Sequence, residues 1–189
     1  MTPFRKPSIF SKKAKSIVQT NFKVLHISDT HIDLNYKETS DAVCGEPLCC
    51  RNVDKSVPIE NQSGFWGDYR DCDIPLRTFD SMLKHIALKH QDIDYVIWTG
   101  DIPPHDVWNQ TKNEQVNLLR KVSQLIQKHL GSKPIFPALG NHESLPINKL
   151  SVLENLLDDR ELIKFILILA FHHLSSKQFY ILFLGCMTL

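Results

Sequence analysis

A chain of 189 residues with 42% hydrophobic and 23% charged content can bury one sizeable core, and a formal net charge of +1 gives no reason to expect a nucleic acid or other polyanionic partner. The charge is uneven: Arg5, Lys6, Lys12, Lys13, Lys15 and Lys23 fall within residues 1–23 without one acid, leaving the remainder acidic on balance. That segment reads as a solvated linker or tail, with weak attraction to anionic lipid or a poor transit peptide as alternatives. No apolar run follows these charges, so no signal peptide is read in the chain.

The first predicted strand, residues 24–28 (VLHIS), runs into Asp29 and His31. A polar, turn-rich segment over residues 41–72 follows and carries Cys44, Cys49, Cys50 and Cys72. Four thiols so close together predict disulfides in an oxidising compartment. A zinc knuckle is the alternative, weakened by the lack of any C-x-x-C pair. The sequons at Asn61 and Asn109 agree with export. These features and the amino terminus disagree, and the expectation is that the natural beginning is missing.

Asp73 and Pro75 signal a helix, with Leu76, Phe79, Met82, Leu83 and Ile86 as its apolar stripe. The second strand, residues 95–99 (YVIWT), stops at Gly100 with Asp101 just beyond it. Thr111 and Glu114 form a predicted capping box, and Val116, Leu119, Val122, Leu125 and Ile126 face inward from the helix that follows, with Gly131 at its stop. A third strand, residues 135–139 (IFPAL), leads into Gly140, Asn141, His142 and Glu143. The series is β-α-β-α-β with parallel strands. Beyond residue 148 the apolar runs 162–171 and 179–184 are both too short to span a membrane.

Three strands that each deliver oxygen or nitrogen ligands at the carboxyl end place a site where open α/β sheets place theirs. Asp29 and His31 can reach one divalent ion, Asp101 can serve two, and Asn141 offers a neutral oxygen to the second. Two such ions activate water for in-line attack on phosphorus. His142, beside Asn141, is the candidate acid for the leaving group, and His105 the candidate holder of a phosphate oxygen.

The motifs DTH, GDIPPHD and GNHE resemble those of the calcineurin-like metallophosphoesterases. Within that family the wider text resembles the acid sphingomyelinases: the cysteine spacing from Cys44 to Cys50, FWGDYRDCDIPLRT, WTGDIPPHDVWNQT and PALGNHESLPIN. The resemblance covers residues 24–148 and implies an αββα sandwich and hydrolysis of sphingomyelin to ceramide and phosphocholine. It implies two zinc ions on Asp29, His31, Asp101 and Asn141, with His142 as proton donor and His105 near the substrate phosphate. It pairs Cys44 with Cys49 and Cys50 with Cys72, and it implies lysosomal or secreted surroundings, a membrane lipid surface as partner, and no stable protein partner. Ile102 and Glu143 favour a lipid substrate over the nucleotide substrates of close relatives. The later histidines that complete such sites, including a G-H-x-H, are not found after Asn148; His172 and His173 are a conceivable substitute in what otherwise reads as a divergent tail, 149–189. The expectation is therefore a partial domain without its second half, a weak second ion and impaired activity. The alternatives are an inactive binding or decoy protein, or a phosphodiesterase acting on nucleotides.

Overall fold

The computed structural model describes residues 21–143. The basic segment, residues 1–20, and everything from residue 144 onward, including both carboxyl-terminal apolar runs, lie outside the described residues. Three parallel strands make the main sheet in the order β1 (Val24–Ile27), β4 (Tyr95–Trp98), β5 (Ile135–Pro137). Val24 is in register with Tyr95 and Ile27 with Trp98, and on the far side Val96 is in register with Ile135. A second parallel pair joins β2 (Ile32–Asp33) to β3 (Ile74–Pro75). The connections are α1 (Leu76–Lys89) between β3 and β4, and α2 (Lys112–Leu130) between β4 and β5. The β-α-β-α-β order is as the sequence predicts.

Alternation along the strands decides which face is covered. Val96 and Trp98 point to one side of the central strand, and both are essentially inaccessible. They share a core with Phe79 and Leu83 of α1 and with Leu119, Val122 and Ile126 of α2. The two helices therefore lie on that face, in contact with each other, where the His129 Nε2 sits 2.7 Å from Asp80 Oδ1. On the opposite face Tyr95 meets Phe22 and Phe136 edge-on, with ring centroids 6.2 and 5.7 Å apart, and Val24 stays exposed. The second sheet of a sandwich is not among the described residues.

Local signals hold with informative exceptions. The capping box on α2 is formed: Thr111 Oγ1 accepts the Glu114 N–H, and the Glu114 carboxylate accepts the Thr111 N–H. Val116 is only half-buried, whereas Gln115 and Leu118 are buried beside the predicted stripe. At α1 the stripe is right for Phe79 and Leu83, and Met82 is exposed. Asp73 does not cap α1; Pro75 occupies the cap without a side-chain hydrogen bond.

The cysteine segment is a stapled surface loop. Disulfides join Cys44 to Cys49 and Cys50 to Cys72, which rules out the zinc knuckle. The second closes a sequence separation of 22, a span whose closure contributes roughly 3 kcal/mol. Its contents are small: Tyr36, Ala42 and Cys50 are buried against Cys72. Of the two sequons, Asn109 is exposed, while Asn61 is half-buried with Ser63 inaccessible beside it.

Candidate metal centre

Because β1 and β4 are parallel neighbours, they end side by side and their exit loops run together. The Asp29 N–H donates to the Gly100 carbonyl (3.1 Å), the His31 N–H to the Asp101 carbonyl (3.0 Å) and the Ile32 N–H to the Ile102 carbonyl (2.7 Å). This pairing brings one ligand atom each of Asp29, His31 and Asp101 within 4.8 Å of one another. Two carboxylate oxygens and one imidazole nitrogen suit a borderline divalent ion, so the donor set fits a divalent metal. All three residues have left-handed backbones, with φ of 54°, 35° and 55°. That conformation costs a side-chain-bearing residue roughly 1–2 kcal/mol, and Asp and His accept it more readily than most.

The third strand supplies the rest. Gly140 leads from β5 into a 3-10 turn, Asn141–Glu143. A Cβ added at Gly100, where φ is +82°, would lie 2.2 Å from the Gly140 nitrogen, and one added at Gly140 would lie 2.2 Å from Asp101 Oδ1. The two loops thus cross at a separation that only glycine on both sides permits. Across the crossing the His142 N–H donates to Asp101 Oδ1 (2.9 Å). Asn141 opens the turn one residue earlier, on the loop that meets Asp101.

Glu143 braces this crossing from beneath. One oxygen accepts the N–H groups of Asp101 (3.0 Å) and Gly140 (2.6 Å), and the other that of Ile102 (2.7 Å). Burial pushes its carboxyl above the ordinary carboxylate range, while the three amides pull the other way.

Three imidazoles gather over the ligands. The His31 ring is 4.0 Å from that of His105 and 4.7 Å from that of His142. His31 Nδ1 lies 2.8 Å from the Pro103 carbonyl oxygen, an acceptor only, so Nδ1 carries a proton and, in the neutral ring, Nε2 is the nitrogen left for a metal. His105 is held at two points by Asp73, whose oxygens accept its N–H (2.7 Å) and its Nδ1–H (2.7 Å). Burial first, and then the neighbouring His31 and His105, push the His142 pKa below the ordinary histidine value, with Asp101 opposing them. A charged His142 therefore requires more acidic conditions than its residue type alone predicts.

Sequence reasoning missed three supports. Asp73 reads as a helix start and instead holds His105. Gln115, buried in α2, donates to the His142 carbonyl (3.2 Å); a polar residue on an otherwise apolar helical face was its only signal. Arg51 donates to both oxygens of Asp33 (2.8 and 3.1 Å) and to Asp106 (2.6 Å). Nothing local marks it out, because its partners are 18 and 55 residues away.

Residues 22–185 match the calcineurin-like phosphoesterase family. The chain belongs to that family. Among its relatives, sphingomyelin phosphodiesterase B of Dictyostelium discoideum is 45% identical over 148 residues, 77% of this chain and 23% of that protein. Human sphingomyelin phosphodiesterase is 45% identical over 127 residues, 67% of this chain and 20% of that protein. A cyclic GMP-AMP phosphodiesterase of Bos taurus is 33% identical over 133 residues, 69% of this chain and 28% of that protein. This calcineurin-like phosphoesterase chain therefore spans less than a third of the length of each of these three relatives.

Proposed function

We propose that this chain carries the phosphodiester-hydrolysing site of a sphingomyelin phosphodiesterase, with Asp29, His31, Asp101 and Asn141 as ligands of two divalent ions. The observation that supports this best is the convergence of Asp29, His31 and Asp101 within 4.8 Å at the ends of two adjacent parallel strands. Zinc is the assigned metal, because mixed carboxylate and imidazole donors suit it. Bound there, the ions lower the pKa of water and offset charge on the phosphate oxygens.

The protein's own groups do the rest. His105, oriented by Asp73, holds a phosphate oxygen of the substrate as a cation, donating a second N–H from Nε2. His142 gives its proton to the departing ceramide oxygen as the phosphorus–oxygen bond breaks and the oxygen of water bonds to phosphorus; the proton that water loses passes to solvent, from which His142 is reprotonated as phosphocholine leaves. The Asp101 contact to the His142 N–H holds acid and ligand together. The two disulfides support lysosomal or secreted surroundings, and Asn109, as the exposed sequon, is the assigned glycosylation acceptor ahead of Asn61. With only these ligands the second ion is the weaker bound.

The test is phosphocholine release from sphingomyelin vesicles by the 189-residue chain at pH 5 with zinc, beside Asp101→Asn and a cyclic dinucleotide substrate. Release that Asp101→Asn abolishes is expected. Background release from a chain shown to hold two ions, or faster turnover of the dinucleotide, overturns the reading.

A further inference from the structure

His31 belongs to two ligand groups at once. One ligand atom each of His31, His105 and His142 also lies within 4.8 Å of the others, separately from the group of Asp29, His31 and Asp101. We infer that the three histidines form an alternative metal seat, selective for an imidazole-preferring ion such as Cu²⁺, which excludes a metal from the carboxylate seat by taking His31.

The donors are set for it. His31 spends Nδ1–H on the Pro103 carbonyl, and His105 spends its own on Asp73. Each therefore offers Nε2 as a lone pair, and the Asp73–His105 arrangement is the carboxylate–imidazole pair that orients metal-bound histidines. His142 Nδ1 is buried with no hydrogen-bond partner. Square-planar coordination with metal–nitrogen bonds of about 2.0 Å sets neighbouring nitrogens roughly 2.8 Å apart and opposite ones about 4 Å apart, so ring rotations close the present spacing. The Nε2 of His31 has one lone pair and serves one ion. Copper outranks manganese at either seat, but three nitrogens widen that margin and two carboxylates with one nitrogen narrow it, so manganese reports on the carboxylate seat and copper settles on the imidazoles.

This inference does not depend on the hydrolytic reading, and its test reads metal alone. The 189-residue chain is titrated with Cu²⁺ and followed by electron paramagnetic resonance, then with Mn²⁺. Wild type is expected to show three-nitrogen hyperfine structure and to release bound Mn²⁺ one for one as Cu²⁺ enters. His105→Ala should weaken Cu²⁺ at least 10-fold and lose one nitrogen while still binding Mn²⁺, which also shows that the variant folds. Asp29→Asn should do the opposite. A copper spectrum unchanged by His105→Ala, copper binding lost in Asp29→Asn, or simultaneous full occupancy by both metals overturns the inference.

Discussion

The carboxylate of Glu143 lies under the backbone of Asp101, accepting the N–H of Asp101 at 3.0 Å and, through its other oxygen, that of Ile102 at 2.7 Å. With the Gly140 N–H it gathers three donors from two loops. Truncation to alanine strands all three in a largely buried place, at about 1–3 kcal/mol for each donor that water cannot reach. Glu143→Ala should lose roughly 3 kcal/mol or more in urea unfolding and most of its metal affinity. Glu143→Gln, which keeps one acceptor oxygen, should lose less on both measures.

Gly100 tests the crossing itself. In Gly100→Ala the new methyl meets backbone atoms, the Gly140 nitrogen at 2.2 Å and the Leu139 carbonyl carbon at 2.9 Å, which cannot turn aside as a side chain would. The left-handed φ adds about 1–2 kcal/mol, and overpacking adds about 1–3 kcal/mol. We expect a loss of about 3 kcal/mol, and divalent-ion affinity in calorimetry reduced at least tenfold because Asp101 is displaced with the loop.

What the sequence made legible and what it concealed divide by range. Strands ending at Asp29, Asp101 and Asn141, the two helices and the Thr111 cap are written in periodicities and neighbours a few residues apart, and each is present. Parallel pairing of β1 and β4 follows from the helix between them, which is why ligands 72 residues apart in sequence were predicted to converge. The supports were hidden. Asp73 carries the same letter whether it caps α1 or orients His105, and only the fold, by bringing β3 against the 103–110 loop, decides. Arg51 sits in a loop with no period, so its partners Asp33 and Asp106 are a tertiary fact. Glu143 was visible as part of a motif, but its task depends on backbone donors that no side-chain pattern encodes.

Asp73 is a positioning residue for His105. Asp73→Asn retains the size of the group and one acceptor oxygen but removes the charge that fixes the imidazole. Loss of such a partner costs about 10- to 100-fold in activity or metal affinity. The expected result is a drop of that size in kcat/KM on a phosphodiester, with an unchanged circular dichroism spectrum and unchanged Mn²⁺ affinity. Equal weakening of Mn²⁺ would mean a structural role only.

Asp68 gives the fold an acid limb. Arg70 donates to both its oxygens, at 2.8 and 2.7 Å, and this pairing holds the carboxyl below the ordinary carboxylate value. Folded Asp68 therefore releases its proton at lower pH than unfolded Asp68, whose value is about 3.9. The stabilisation is complete above that value and is lost as pH falls through the folded one. The urea midpoint of Asp68→Asn should lie below wild type at pH 6, and the difference should shrink toward pH 3. A difference constant with pH would show that the Arg70 bonds do not depend on the charge.

Arg51 is the tie between the cysteine loop and the site. It is largely buried, Asp33 and Asp106 more so, and the Asp106 end connects to the loop that carries His105. A buried ion network of this kind contributes little relative to a well-packed apolar replacement, yet removing one member strands the others at about 3–5 kcal/mol. Arg51→Met should therefore be strongly destabilising, because two carboxylates stay behind without a cation. Adding Asp33→Asn and Asp106→Asn should recover a large part of the loss, since the stranded charges are then gone. Urea unfolding of the single and triple variants separates the two accounts: if the triple is no more stable than Arg51→Met, packing and hydrogen-bond geometry, rather than uncompensated charge, hold the loop in place.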